Sequence, residues 1–174
     1  MVVRNTAPFL LGGPYPLIQT GEIANSGGYI TEYSQTYSES GLKQSKLWPR
    51  GTLCITIAAN IAKTAILKFE ACFPDSVVGF IPKNGVRTEY IQLWLSFIQK
   101  HLEETAPAVA QKNISLEILR KLNVPVPPIW EQQKFAALVE KVEGLRKKQG
   151  DSEKELENLF NSLMQRAFNG ELVQ

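Results

Sequence analysis

The chain has 174 residues, of which 44% are hydrophobic and 21% are charged, and its formal net charge is +2 at pH 7. This length suits one globular domain with an appendage, and the longest apolar run is too short and too polar for a membrane-spanning helix. A single histidine and two cysteines do not supply a recognisable zinc site, and so weak a net charge does not by itself indicate a nucleic-acid partner.

The first 40 residues favour loop-rich β structure. They are rich in Gly, Pro, Ser, Thr and Tyr, and Gly12-Gly13-Pro14 and Gly27-Gly28 are turn signals beside short apolar runs. Because no basic stretch leads into an apolar segment and a cleavage site, we expect a cytoplasmic protein. Cys54 and Cys72 lie in apolar segments, where we expect buried, reduced thiols.

Three segments in the middle of the chain have the composition of β-strands. Residues 51–58 and 63–69 are dense in apolar and β-branched side chains, and the connection between them is short, so the pattern predicts two adjacent strands. Residues 76–81 predict a third strand, which ends at Pro82 and is followed by a turn.

The basic residues are concentrated around these strands. Residues 36–68 contain one acidic side chain, Glu39, against five basic ones, which are Lys43, Lys46, Arg50, Lys63 and Lys68. Such a patch is suited to phosphate groups, and a plain solvated face has the same composition.

The hydrophobic period then changes to that of helices. An amphipathic helix is predicted over residues 88–103, because one face repeats at spacings of three and four through Tyr90, Leu93, Trp94, Phe97, Ile98 and His101 or Leu102. A short helix is expected from about Ser115, capped by Asn113 or Ser115. The proline run over residues 124–128 ends it, since proline favours an extended spacer. We therefore divide the chain into a domain over residues 1–126 and a helical region over residues 127–174.

A long helix is predicted after the proline run. Its seam follows an unbroken alternation of three- and four-residue spacings, made by Phe135, Leu138, Val142, Leu145, Gln149, Ser152, Leu156, Leu159 and Leu163. About 38 residues at a rise of 1.5 Å give a rod of roughly 57 Å. Ser152 and Glu155 also fit a capping box that would begin a second helix, and the stripe also suits a bundle helix that packs on its own domain. We predict one continuous pairing rod.

Several kinds of catalytic chemistry are missing from the sequence. It contains neither a phosphate-binding loop that ends in Lys-Ser/Thr nor a dinucleotide-binding glycine motif. Val126-Pro-Pro-Ile129 lacks the polar start and aromatic end of the motif found in amino-methylating enzymes. We expect a non-catalytic chain without a cofactor or metal of its own.

Seven segments, in this order and spacing, are similar to the specificity subunits of type I restriction-modification systems. They are Pro16-Leu-Ile-Gln-Thr-Gly-Glu-Ile23, Gly41-Leu42-Lys43, Gly51-Thr-Leu-Cys-Ile-Thr-Ile57, Gln111-Lys-Asn-Ile-Ser115, Val124-Pro-Val-Pro-Pro128, Glu131-Gln-Gln133 and Ala167-Phe-Asn-Gly-Glu-Leu172. The resemblance implies a mixed α/β (α+β) fold: a curved, β-rich target-recognition domain with small helices, followed by a long C-terminal coiled-coil-type helix.

The resemblance also implies a function and partners. Each recognition domain of that family reads one half of a split target in double-stranded DNA, and helices dock the methylation subunit, with a restriction subunit as a further partner. S-adenosylmethionine, Mg and ATP would then belong to the partner subunits. The alternative is an assembly module that no longer binds DNA and only scaffolds oligomerisation.

Two departures from the family pattern affect this expectation. Family domains normally begin with a strand that bears an aromatic residue and a Leu-Gly pair ahead of the segment matched by residues 16–23, and the chain has little room for it. Typical members also have two recognition domains and two helical regions, whereas this chain has one of each. A half subunit, a fragment or a cassette would fit, and two copies paired through antiparallel helices would form a homodimer that reads a symmetric split site.

Three loop segments are the predicted DNA contacts, because phosphate contacts position such proteins and a few polar side chains read the base edges. The candidate DNA-binding residues are Tyr37, Lys43, Gln44, Ser45 and Lys46 in the first segment, Lys63 and Thr64 in the second, and Gln111 and Lys112 in the third. Each residue type is equally common as a plain surface or capping group.

Overall fold

Six strands and five α-helices form within residues 7–58, 61–105 and 114–170, which are the residues that the computed structural model describes. The strands are β1 (Leu11–Leu17), β2 (Tyr29–Ile30), β3 (Gln35–Tyr37), β4 (Leu53–Thr56), β5 (Thr64–Leu67) and β6 (Val77–Phe80). The helices are α1 (Thr20–Asn25), α2 (Glu39–Leu42), α3 (Thr88–Thr105), α4 (Leu116–Arg120) and α5 (Ile129–Phe168). The chain divides into two units, the first ending at Gln133 and the second beginning at Lys134.

A four-stranded sheet occupies the middle of the first unit, in the order β2-β5-β4-β6. Strand β4 pairs antiparallel with both β5 and β6, and β2 pairs parallel with β5. Every residue of β4 is buried, which explains its continuous apolar sequence. The three strands predicted in this region are confirmed, as is the pairing of the first two.

The N-terminal region contains more regular structure than its composition suggested. Strand β1 begins at Leu11 and pairs antiparallel with β3, with an irregularity between Leu11 and Tyr15. A strand therefore begins ahead of Pro16 and continues into the segment matched by residues 16–23. Helix α1 was also missed. Its capping box pairs Gln19 with Glu22. Glutamine is not one of the residues preferred at the N-cap of a helix, so the start of α1 had no clear signal in the sequence.

Helix α3 packs on the sheet through one face. Tyr90, Ile91 and Leu95 are buried with residues of β4 and β5 in the same cluster. The predicted helix is confirmed, but the predicted apolar face included Phe97, which is 86% exposed. Helix α4 begins where predicted, because the Ser115 side chain accepts a hydrogen bond from the Ile118 amide. Asn113, the alternative cap, lies outside the described residues.

Both cysteines are buried and reduced, as predicted. Cys54 lies in β4, where burial raises the pKa of its thiol to about 12. Cys72 follows β5, and its backbone exchanges hydrogen bonds with Pro16 and Ile18 at the end of β1. The two thiols are therefore core side chains that remain protonated at neutral pH.

Helix α5 runs without interruption over 40 residues, a length of about 60 Å. Gly150 and Asp151 lie inside it, so the continuous rod is confirmed and the hairpin that would start at Ser152 does not form. The apolar seam side chains are between 39% and 67% exposed, and they are Phe135, Leu138, Val142, Leu145, Leu156, Leu159 and Leu163. The seam therefore offers a surface that another helix would bury.

One buried side chain ties the first turn of α5 into the first unit. Gln132 is fully buried. Its Oε1 accepts a hydrogen bond from the Arg87 backbone amide at 2.9 Å. Its Nε2 donates to the carbonyl oxygens of Gly85 at 2.9 Å and Pro127 at 2.8 Å. These contacts join the proline segment, the loop before α3 and the start of α5.

The Gln132→Ala substitution should destabilise the first unit by about 2–3 kcal/mol. It would leave the Arg87 amide and the two carbonyl oxygens without their buried partner, and unpaired buried polar groups are costly. Denaturant unfolding of the full chain, followed by tryptophan fluorescence, measures this free energy.

The neighbouring Gln133 provides the control. Its side chain is exposed, so Gln133→Ala should change the unfolding free energy by less than about 0.5 kcal/mol. Equal effects of the two substitutions would contradict the proposed anchoring role of Gln132.

Candidate nucleic-acid interface

The first predicted DNA-binding segment surrounds a cavity of about 260 Å³ in the first unit. Four of its five residues line this cavity, and Lys43 lies next to them as an exposed side chain. The full lining consists of Tyr37, Gln44, Ser45, Lys46, Trp48, Phe73, Pro74, Asp75 and Val77. We call it the Trp48 cavity. Long-range folding therefore gathers side chains that lie up to 40 residues apart in the sequence.

Tyr37 differs from its prediction. It lies in strand β3, not in a loop, and is only 3% exposed. Gly41 packs directly against its ring. Burial raises the pKa of the Tyr37 hydroxyl, and the neighbouring Cys72 and Asp75 raise that pKa further. The Tyr37 hydroxyl therefore stays protonated at neutral pH, and its buried side chain forms one wall of the cavity.

An aromatic pair forms another wall. The Trp48 and Phe73 rings stack with their centroids 5.0 Å apart and their planes at 18°. The Lys46 ammonium lies 4.3 Å from the centroid of the Trp48 ring. Stacking and the cation–π contact together hold the indole and the lysine in place.

Gly79 makes this arrangement possible. A Cβ atom at position 79 would lie 2.6 Å from the Trp48 ring and 2.8 Å from the Phe73 ring. Glycine in a strand interior is unfavourable by itself, so its presence often marks a close approach of other groups. Trp48, Phe73 and Asp75 were absent from the predicted site, and the glycine in the predicted third strand was the only local sign of them.

The polar side chains of the Trp48 cavity fall into two groups. The Ser45 hydroxyl donates a hydrogen bond to the Phe73 carbonyl oxygen at 3.2 Å, which ties the end of α2 to the loop before β6. The side chains of Gln44 and Asp75 are exposed and make no hydrogen bond or ion pair with any other residue of the described ranges. Gln44 and Asp75 therefore remain available to a ligand.

The second predicted segment, Lys63 and Thr64, lies at the carboxyl end of β4, beside the start of β6. The amide of Thr56 donates a hydrogen bond to the Lys63 carbonyl oxygen at 3.0 Å. The amide of Ile57 donates to Ser76 at 2.9 Å, and its carbonyl oxygen accepts from Ile114 at 2.9 Å. Since Asp75 directly precedes Ser76, this end of the sheet connects the Trp48 cavity with the second segment.

The second and third segments are positioned differently from one another. Lys63 is exposed, whereas Thr64 is half-buried in β5, where it pairs with Ile55. Thr64 is therefore a strand residue, not the loop residue that was predicted. Gln111 and Lys112 lie outside the described residues, and the third segment remains a prediction. Ile114, the first described residue after it, hydrogen bonds to the end of β4.

The described residues contain no group of three or more His, Cys, Asp or Glu side chains arranged to hold a metal ion. Of the helices formed in residues 7–58, 61–105 and 114–170, none combines the length and apolar character needed to cross a membrane. The exposed polar side chains that line the Trp48 cavity are the carboxamide of Gln44, the carboxylate of Asp75 and the ammonium of Lys46. This set is suited to binding by hydrogen bonds and charge.

Comparisons with known proteins agree on one family. Residues 4–158 match the family model of the type I restriction modification DNA specificity domain. The specificity subunit of the type I restriction enzyme MjaIX from Methanocaldococcus jannaschii is 29% identical over 150 residues, which are 80% of this chain and 34% of that subunit. The chain thus spans about a third of the length of this relative.

Solved structures share the fold. A chain from a structure on complex assembly and conformational transition of the type I R-M system superposes with a TM-score of 0.74, at 18% identity over 92% of this chain and 40% of that one. The HsdS subunit from Thermoanaerobacter tengcongensis gives a TM-score of 0.62, at 17% identity over 92% of this chain and 38% of its own. The predicted mixed α/β fold with a long C-terminal helix is confirmed.

The Gly79→Ala substitution should displace Trp48 and destabilise the first unit by about 1–3 kcal/mol, because the added methyl group overpacks a filled site. The emission maximum of tryptophan should shift as the indole leaves its stack on Phe73. Thermal unfolding and steady-state fluorescence of the full chain measure the two effects.

Gly21→Ala is the matched control, since Gly21 lies in α1 and a Cβ atom there would have no neighbour within 4 Å. This variant should be neutral or slightly stabilised, because alanine favours helices over glycine. If the Gly79→Ala variant kept the stability and the fluorescence of the wild-type protein, the Trp48 cavity would not be tightly packed.

Proposed function

Because the chain belongs to the type I restriction modification DNA specificity domain family, we propose that it binds double-stranded DNA and recognises its sequence within a type I restriction-modification complex. The observation that best supports this function is the cluster of exposed polar and basic side chains around one end of the central sheet. Lys46, Gln44 and Asp75 line the Trp48 cavity, and Lys63 directly precedes strand β5.

The basic side chains supply the electrostatic part of the proposed interface. Lys43, Lys46 and Lys63 are exposed, and each could neutralise a phosphate and release a counterion. Such contacts hold a protein on the duplex without reading the sequence, while polar side chains reach the base edges. A single unit of this kind would read one half of a split target.

The long helix supplies the assembly part of the proposal. Its exposed apolar seam is suited to burial against another helix, and we assign that role to a second copy of the chain, which gives a homodimer. The helix would also dock the methylation subunit and, through it, a restriction subunit. Catalysis, together with S-adenosylmethionine, Mg and ATP, would then belong to those partners.

The double substitution Lys43→Ala with Lys46→Ala should weaken DNA binding. If each lysine neutralises one phosphate, the slope of log affinity against log salt should become shallower by about 2, since one phosphate contributes about 0.9. Titrations of a labelled duplex at several salt concentrations, with the methylation subunit present, measure the affinity and the slope.

A control with the same loss of charge is Lys83→Ala with Lys154→Ala. Lys83 follows the opposite end of β6 and Lys154 lies in the second unit, and both are exposed. The control should keep the wild-type salt slope. If the Lys43 and Lys46 variant also kept it, these lysines would not belong to the interface. If the wild-type protein bound no duplex, the assembly-module alternative would be favoured.

Introducing charge into the helix seam should separate the proposed dimer. Replacing Leu156 and Leu163 by aspartate removes two apolar contacts worth about 1.5–3 kcal/mol each when buried, so the dissociation constant should rise by about a hundredfold or more. Sedimentation equilibrium over a micromolar concentration range measures it.

Asn158→Asp with Asn161→Asp adds the same two charges on the face that helical periodicity places opposite the seam. This control should remain a dimer. A wild-type chain that sediments as a monomer at micromolar concentration would overturn the proposed pairing.

A further inference from the structure

We infer that the Trp48 cavity reads, in the major groove, a base that presents an exocyclic amino group there, adenine or cytosine, and that Asp75 and Gln44 select it. This inference rests on the proposed DNA recognition and names the chemistry of one contact within it. The observation that supports it is that the Asp75 carboxylate and the Gln44 carboxamide line one cavity, together with Lys46, one of the lysines that we assign to phosphate contacts.

The carboxylate of Asp75 gives the most information about the base that the cavity would bind. Asp75 is exposed and is not engaged by a basic side chain of the described ranges. Next to a phosphate backbone an uncompensated negative charge weakens binding. A carboxylate that faces a nucleic acid is therefore unfavourable unless it accepts hydrogen bonds from the bases.

Base chemistry then limits the ligand. In the major groove, adenine and cytosine present amino donors, while guanine and thymine present carbonyl acceptors at the corresponding positions. An ionised carboxylate has acceptors only. Asp75 would therefore attract an amino group and repel a carbonyl oxygen, so the selection is partly made by repulsion of the wrong base.

Gln44 complements this preference. Its carboxamide carries both donors and acceptors, and glutamine pairs in a bidentate manner with adenine. Gln44 lies two residues beyond α2, and Ser45, the next residue, is fixed to the Phe73 carbonyl oxygen. The backbone that carries Gln44 is thus anchored to the same loop that carries Asp75.

The walls of the cavity provide the rigidity that base reading requires. Trp48 is held between its stack on Phe73 and its close packing on Gly79. Lys46 contacts the face of the indole, so a cation is held next to the cavity. This cation can offset part of the unfavourable interaction between Asp75 and the phosphates. Rigid placement raises discrimination because a displaced polar group loses its hydrogen bonds.

The test compares the sequences selected by the wild-type protein and by the Asp75→Asn variant. Randomised duplexes are bound to the full chain with the methylation subunit present, recovered and sequenced. The wild-type chain should require adenine or cytosine at one position. Asp75→Asn should reduce that discrimination about tenfold or more, within the range of one well-placed base contact, and leave the other positions unchanged.

Two further variants make the result specific. Gln44→Ala should weaken the preference at the same position or its immediate neighbour. Asp151→Asn removes an identical charge from the helix face opposite the seam and should leave every position unchanged. Circular dichroism and thermal unfolding should be identical for all three variants, since the replaced side chains are exposed.

The possible failures are distinguishable. If Asp75→Asn bound all duplexes more tightly by the same factor, with an unchanged preference, Asp75 would be a general repulsive charge; the inference would be wrong and DNA recognition would stand. The same holds if wild-type binding were unchanged when the selected base lacked its amino group, with purine in place of adenine or pyrimidin-2-one in place of cytosine. If the wild-type chain selected no sequence, the proposed function would fail, and the inference with it.

Discussion

The backbone at the carboxyl end of β4 is the constraint on which the candidate site depends. Thr56 is fully buried and pairs with Val77 of β6, and the next residue, Ile57, bonds to Ser76 on one side and Ile114 on the other. Buried amides and carbonyls must be paired, so the register of β4 determines where Lys63, Ser76 and Ile114 lie relative to one another. Polar residues that are distant in the sequence are thereby brought to one end of a sheet.

Hydrogen bonds outside β4 hold together the loops that carry the polar residues of the Trp48 cavity. Trp48 pairs with Ala71 through an isolated bridge, and the Phe73 carbonyl accepts the Ser45 hydroxyl. The loop after α2 and the loop before β6 are thus joined by backbone and side-chain hydrogen bonds before any ligand is present. Rigid loops lose less conformational entropy on binding, which favours affinity and discrimination together.

The hydrophobic pattern of the sequence was sufficient to predict those strands and helices whose burial or repeat is visible within their own residues. The sequence of β4 predicts a strand because both faces of the strand are buried and its residues are mostly apolar. The sequence of α5 predicts a helix because its apolar seam repeats over many turns. The Trp48 cavity could not be predicted in this way. Tyr37, Trp48 and Asp75 meet only through tertiary pairing, and neither burial of Tyr37 nor the availability of Asp75 has a signature in its own neighbourhood. Charge concentration identified Lys43, Lys46 and Lys63 but gave no information about their relative positions.

The polar centre of α5 adds a reason for the helix to be continuous. Gln149 lies halfway along the seam that runs from Phe135 to Leu163, and Ser152 is the next seam residue. In the proposed antiparallel pair, the middle of one seam faces the middle of the other, so Gln149 and Ser152 would meet polar groups of the second copy. A slip by one heptad would instead place an amide against leucine without a hydrogen-bond partner, which is costly in a buried seam. A break at Gly150 would remove this registration, whereas the uninterrupted helix retains it.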